Sequence, residues 1–368
     1  ASYRVLGTEM DSPRGRIHAL KAIEAGELEL DATTASHFDS CLGCFACVSA
    51  CPSGVRYDEL IEATRPKLKA PALRSPAQQA LRRLLFALLP YPARLRAALA
   101  PLRLYAGSPL QRLARVSGLT RLLGPELQAM EQLLPPLAPE AFRDALPVVV
   151  PAQGSRRARV GLVLGCVQRL FDPAVNRAAV AVLSANGVEV VIAPSQGCCG
   201  AVTHHQGEMA QTRELASALV NSFASVVGPG KPAGSEPLDA VLVAASGCGH
   251  TMKQYDRLLE SEPEQAFASQ VRDIQEYLQE LGLSEAFQAS LQPLCHADGS
   301  PACAERPVAV VYHDACHMLH GQGISAEPRA LLSHIPHLQL KEAVEAGVCC
   351  GSAGIYNLVQ PEEAAALG

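Results

Sequence analysis

The run CLGCFACVSACPSG places Cys41, Cys44, Cys47 and Cys51 directly ahead of Pro52. The spacing C-x2-C-x2-C-x3-C-P is the one that holds [4Fe–4S] clusters, so this segment must fold as a tight loop around a metal centre. Two-residue gaps let successive sulfurs of one loop converge on different irons of a cubane. Pro52 turns the chain away, so the fourth thiolate can point elsewhere. Zinc is the competing reading, but zinc sites pair two C-x2-C knuckles across a longer gap, which this run lacks. The chemistry implied is electron movement.

Composition frames the rest. With 368 residues, 48% hydrophobic and 18% charged, the chain is long enough for two domains or for one domain and a small module. Its thirteen cysteines gather in short motifs and no signal peptide stands at Ala1, which fits metal ligation in a reducing compartment better than disulfides. A cytoplasmic location is expected. The most apolar run, LLFALLPYPA at 84–93, is broken by Pro90 and Pro92 and falls short of the ~20 residues that span a bilayer. A net charge of −5 argues against a nucleic-acid binder.

The expected fold class is α plus α/β, in four stretches. Residues 1–68 read as a small helical ferredoxin-type module, with helices at 15–25 and 56–68 flanking the cysteine run. Residues 69–155 read as a helical connector cut by prolines. From 64 to 125 the chain carries twelve Lys and Arg and no Asp or Glu. That one-sided charge points to docking on an acidic partner or on the inner, anionic face of a membrane, against the plainer reading of a basic linker folded over the third part.

Residues 156–290 and 304–368 read as two α/β repeats with parallel strands. RVGLVLG, VEVVIAP and LDAVLVAA are the strands of the first, and RPVAVVYH and LQLKEA begin the second. Cys166 and Cys316 stand 150 positions apart, while Cys198-Cys199-Gly200 and Cys349-Cys350-Gly351 stand 151 apart, an offset that points to duplication. Both landmarks fall at strand carboxyl ends, where α/β folds build their sites. Cys248 in ASGCGH ends a third strand, so Cys166, Cys198, Cys199 and Cys248 make four thiolates for a further cluster. Buried, inert cysteine is the alternative. Adjacent thiols do not readily ligate one iron together, so each Cys-Cys-Gly implies two irons or one ligand beside a free thiol.

Taken together, VLGTEMDSPRGRI at 5–17, CLGCFACVSACPSGVRY at 41–57, GCCGAV at 197–202, ASGCG at 245–249 and CCGSAGIYNL at 349–358 resemble the iron–sulfur subunit family of glycolate oxidase. That family combines two ferredoxin motifs with two cysteine-rich domains of the heterodisulfide-reductase type. The resemblance implies an oxidoreductase subunit that has no flavin or nucleotide of its own. It would take electrons from an FAD-containing partner oxidising glycolate to glyoxylate and pass them toward a quinone-type acceptor. Cys41, Cys44, Cys47 and Cys51 would hold [4Fe–4S]; Cys166, Cys198, Cys199, Cys248, Cys316, Cys349 and Cys350 would be further metal ligands. No catalytic residue is expected in the chain. Lactate or glycerol 3-phosphate dehydrogenase subunits and a heterodisulfide-reductase-like thiol enzyme share these motifs, and a zinc-binding scaffold is the alternative of a different class.

Departures from the pattern carry expectations too. The family's first cysteine motif precedes the segment like ASYRVLGTEMDSPRGRI, so the chain reads as incomplete at its start, and Cys51 would then serve the other cluster. The repeat offset carries Cys248 past Gly368, so the second repeat reads as cut short. Thr251 stands where related domains carry the second cysteine of a C-x-x-C. Arg14, Arg16 and Arg56 are candidates for tuning cluster potential, and His204, His205, His313, His317 and His320 are read as polar loop residues. Cys295 and Cys303, in CHADGSPAC, are read as unliganded. No G-x-G-x-x-G with a following acid and no P-loop is present, so no nucleotide is indicated.

Overall fold

The computed structural model describes residues 1–368 except Pro71, Ala72, Asp144, Ala145 and Glu260, together with the side chain of Leu123. Four of those residues belong to the connector, and that part of the connector expectation lies outside the described residues. The chain forms two compact units that do not follow sequence order: Ala1–Arg143, Gly200–Leu215 and Val348–Gly368 make the first, and Asp144–Cys199 with Ala216–Gly347 the second.

The first unit is helical. Ser12 caps the helix Pro13–Glu24 by accepting from the Gly15 N–H at 2.9 Å, and Pro13 supplies a helical φ at no hydrogen-bond cost. Only glycine fits at 15, because a Cβ there would lie 1.9 Å from the Glu9 carbonyl oxygen. The helix Tyr57–Thr64 stops short of the expected 68, since Pro66 cannot donate, and the chain continues as a 3-10 turn, Arg65–Lys69. Phe38, Phe45, Tyr57, Ile61 and Leu68 close a small core that includes Cys41. Arg16 is 2% exposed and donates to the His37 carbonyl at 2.6 Å, to Ser40 Oγ at 2.9 Å and to Ser2 Oγ at 3.1 Å. It therefore ties three segments of the module together. In the connector the helices Pro76–Leu88, Pro92–Leu99, Pro109–Val116 and Pro125–Gln132 each open on proline.

The second unit holds a five-stranded sheet of β1 (Val149–Val150), β2 (Ala158–Val163), β3 (Val188–Val191), β4 (Ala240–Val243) and β5 (Val271–Asp273), in the order β1-β3-β2-β4-β5. β2 runs parallel to both β3 and β4, and β4 parallel to β5. Every residue of β2 is buried, as expected for a parallel strand covered by helices on both faces. The expected strands are present, with two additions. β5 is three residues long, too short for a pattern. β1, an edge strand, pairs antiparallel with β3 beside the parallel strands. A separate parallel pair joins β6 (Val308–Tyr312) to β7 (Leu338–Glu342), with Val308 opposite Leu338.

Candidate iron–sulfur sites

The sheet of the second unit brings four thiols together. Beyond the end of β2, Gln196 clamps two loops to each other: its Oε1 accepts from the Leu164 N–H at 2.8 Å and its Nε2 donates to the Leu162 carbonyl at 3.1 Å. Asn176 Nδ2 holds the Leu164 carbonyl at 2.9 Å, and Arg169 Nε the Gly165 carbonyl at 3.0 Å. These bonds set Cys166 Sγ 3.3 Å from Cys198 Sγ. Cys198 also bonds the thiol of Cys199, and Cys199 bonds that of Cys248, which lies in the first turn of the helix Ser246–Lys253. Tyr255, fully buried, donates to the Cys199 carbonyl at 2.6 Å.

Hydrogen bonds with Cys166 and Cys199, followed by burial, push the Cys198 thiol well up; Cys199 and burial do the same to Cys248. Thiols that raise one another in this way ionise only when cations replace their protons, and an iron–sulfur cluster provides those cations. The donor set therefore fits the group. Among the described residues no three His, Cys, Asp or Glu side chains converge on the position of a single metal ion. Thr251, buried in the same helix as Cys248, has no hydrogen-bond partner for its hydroxyl among the described residues.

The first unit carries the C-x2-C-x2-C-x3-C run. Gly43 at φ 65° and Phe45 at φ 61° bend the loop through left-handed conformations. That is rare for a bulky residue, and burial of Phe45 in the core holds it there. Arg65 Nη2 donates to the Cys41 carbonyl at 2.9 Å, Tyr57 donates its hydroxyl to Cys41 Sγ at 3.7 Å, and the Val55 N–H donates to Cys51 Sγ at 3.4 Å. Burial, then the nearby Cys41 and Cys44, push the Cys47 thiol up to about 12. Cys47 and Cys51 also line a cavity of about 470 Å³ together with Tyr57, Ile17 and Arg14.

Cys349, 2% exposed, hydrogen bonds with Cys44, and this contact is the first cause that pushes the Cys44 thiol up. A contact between residues so far apart in the chain had no signal in the sequence. Cys350 is exposed, and Cys316 is half-buried at the head of the π-helical turn His317–Gln322 in the second unit. Cys295 and Cys303 are exposed, and none of the thirteen cysteines is in a disulfide. The histidines correct the loop reading in part. His204 is buried in a short helix, its Nε2 3.3 Å from Glu62 Oε1, and His250, not singled out by sequence, sets its ring 5.2 Å from that of His317 at a tilt of 49°. Arg14 pairs with Glu9 at 2.8 Å and Arg56 with Asp58 at 2.7 Å, so both arginines have acidic partners of their own.

A model of the linker region of the glycolate oxidase iron–sulfur subunit matches residues 77–134, and a cysteine-rich domain model matches 160–253 and again 310–368. A probable glycolate oxidase iron–sulfur subunit of Bacillus subtilis is 34% identical over 96% of this chain and 76% of its own length. The glycolate oxidase iron–sulfur subunit of Escherichia coli is 30% identical over 100% of the chain and 79% of its own length. One of the subunits of the fumarate reductase (CoM/CoB) from Methanothermobacter marburgensis is 30% identical over 57% of the chain and 36% of its own length. No solved structure matches. The chain belongs to the family of glycolate oxidase iron–sulfur subunits.

Proposed function

We propose that the chain is the electron-transferring subunit of a flavin-dependent glycolate dehydrogenase complex. It would receive electrons from an FAD-containing partner that oxidises glycolate to glyoxylate and pass them toward a quinone-type acceptor. Cys41, Cys44 and Cys47 hold a [4Fe–4S] cluster in this reading, Cys51 serves that cluster or a neighbouring one, and Cys166, Cys198, Cys199 and Cys248 hold a further iron–sulfur site. Cys316, Cys349 and Cys350 are the ligands proposed for the second cysteine-rich segment. The observation that carries the reading is the meeting of Cys166, Cys198, Cys199 and Cys248, with three of these thiols nearly or wholly buried behind one sheet.

A bound iron–sulfur cluster takes up and releases one electron at a time. The residues of this chain exclude water and set the potential. Tyr57 and the Val55 amide donate to Cys41 Sγ and Cys51 Sγ, and with a cluster held there these bonds would stabilise its more negative, reduced state. Bond making on the substrate belongs to the partner's flavin. The test is iron and acid-labile sulfide content, with electron paramagnetic resonance after dithionite reduction, on anaerobically purified protein. More than about four irons per chain supports a second centre beside one cubane; zinc without iron, or a resonance unchanged in Cys41→Ser, would sink the reading.

A further inference from the structure

Between 101 and 122 the first unit is built inside out. The helix Pro109–Val116 turns Gln111 inward, 5% exposed, and leaves Leu110, Leu113 and Val116 on its outer face, Val116 at 82%. The inward glutamine is fully engaged: Oε1 accepts from the Gly107 N–H at 2.7 Å, and Nε2 donates to Glu131 Oε1 at 3.1 Å and to the Leu134 carbonyl at 3.3 Å. The next turn repeats the inversion, with Thr120 buried and Leu119 and Leu122 exposed, Leu122 at 81%. Leu104 adds a side chain 89% exposed. These water-facing aliphatic side chains, backed by the buried and bonded Gln111, make an apolar ridge, and monomer surfaces rarely leave large apolar patches bare.

Basic residues flank the ridge, and one of them, Arg115, is paired with Glu131 at 3.1 Å. Arg103, Arg112 and Arg121 are exposed beside it, and the whole stretch 64–125 carries twelve basic residues and no acidic one in a chain of net charge −5. We propose that this face docks on an anionic lipid surface, with Leu104, Leu110, Leu113, Val116, Leu119 and Leu122 entering the headgroup boundary and the arginines lying among the phosphates. The inference goes beyond the electron-transfer reading and does not depend on it. The exposed apolar set is wholly aliphatic, whereas protein interfaces are anchored by aromatics and seldom by leucine or valine. Leucines on one face with arginines beside them are the pattern of interfacial helices, and a bilayer offers continuous negative potential without geometric matching. No helix among the described residues is long and apolar enough to cross a membrane, so the contact is peripheral.

The test is sedimentation of the full chain, purified anaerobically, with vesicles of phosphatidylcholine alone and of phosphatidylcholine mixed with phosphatidylglycerol. The wild type should bind the anionic vesicles and lose them as salt rises. Leu113→Asp with Val116→Asp, and separately Arg112→Glu with Arg121→Glu, should each weaken partitioning by more than about tenfold, since each basic residue near the surface contributes about fivefold. Circular dichroism and the visible absorption should stay as in the wild type, and Val344→Asp, at a residue 94% exposed elsewhere, should change nothing. Three outcomes overturn the inference: no binding to anionic vesicles, equal binding to neutral ones, or folded ridge variants that bind vesicles as before. In the last case, loss of the flavoprotein partner by those variants would assign the ridge to protein.

Discussion

In the stretch 160–253 the leading strand is buried along its whole length within a five-stranded sheet, and Cys166, Cys198 and Cys199 are each at most 5% exposed. In 310–368 the leading strand alternates half-buried and exposed residues in a two-stranded sheet, and its landmarks are divided. Cys316 belongs to the second unit, while Cys349 and Cys350 belong to the first, where Cys349 meets Cys44. The two stretches carry the same cysteine landmarks at nearly the same offset. What distinguishes them is the scaffold behind the thiols: a fully covered sheet holds the sulfurs of the first stretch against one another, whereas the second stretch has a two-stranded sheet with exposed residues behind Cys316. Cysteine spacing nominates ligands, and the elements between them decide which thiols gather.

The comparison breaks most sharply at the thiols themselves. Cys198→Ser removes the central member of the Cys166–Cys198–Cys199 chain and should abolish the iron and resonance of the site these thiols build with Cys248. Cys350→Ser, at an exposed thiol, should cost less iron and less of the resonance than Cys198→Ser. Iron analysis and electron paramagnetic resonance on the two variants decide it; equal losses would mean that the second segment gathers its thiols as fully as the first.

The glycines of the two Cys-Cys-Gly motifs give the next effect. Both sit in the left-handed region, Gly200 at φ 83° and Gly351 at φ 80°. A Cβ at 351 would lie 2.5 Å from the Ala364 carbonyl oxygen, and at 200 it would lie 3.0 Å from that of Thr212. Gly200→Ala should cost about 2 kcal/mol from backbone conformation. Gly351→Ala should cost about 3–4 kcal/mol because a backbone clash is added. Thermal unfolding checks the order. A milder Gly351→Ala would mean that the closing helix Pro361–Leu367 yields.

Each segment also leans on one tyrosine. Tyr255 donates to the Cys199 carbonyl at 2.6 Å with no exposure, and Tyr356 donates to the Ser40 carbonyl at 3.2 Å. Tyr255→Phe leaves a buried carbonyl unpaired and should cost about 2 kcal/mol, against about 1 kcal/mol for Tyr356→Phe. Denaturant titration of both variants measures the gap, and a reversed order would place the tighter anchor in the second segment.

Much of this was legible in sequence where the ligands are local. Cys41 to Cys51 lie within one loop, so spacing alone nominates them. Cys166, Cys198 and Cys248 follow apolar, β-branched runs whose strand character is plain. Several features depend on tertiary packing, which local pattern does not encode. The pairing of Cys44 with Cys349 is set by how distant helices close. β1 and β5 are too short for periodicity. The burial of His204 against Glu62 depends on a helix contributed from elsewhere in the chain. The outward direction of the leucine ridge follows from Gln111 finding partners inside.

Asp273 carries the smallest effect and separates the two sheets by pH. It lies at the end of β5, a strand that belongs to the first sheet. It caps the helix Ile274–Leu281 by accepting from the Gln275 N–H at 2.9 Å, while its other oxygen is buried without a partner among the described residues. Burial pushes its carboxyl up to about 6, with Glu276 adding to the rise and Lys253 opposing it. A folded value above the unfolded one means that the charged form is disfavoured in the fold. The penalty is absent below about pH 4, grows as the unfolded carboxyl ionises, and reaches its full size, about 3 kcal/mol, above about pH 6. Asn is an equally good cap and carries no charge. Asp273→Asn should therefore be near neutral at about pH 4 and stabilising by about 1–2 kcal/mol at about pH 8, once the weaker bond that a neutral amide oxygen accepts from the Gln275 N–H is set against the relieved burial. Unfolding free energies of parent and variant at the two pH values test this. A difference independent of pH would mean that the carboxylate is solvated at neutral pH and that the end of the first sheet is as open as the β6–β7 pair.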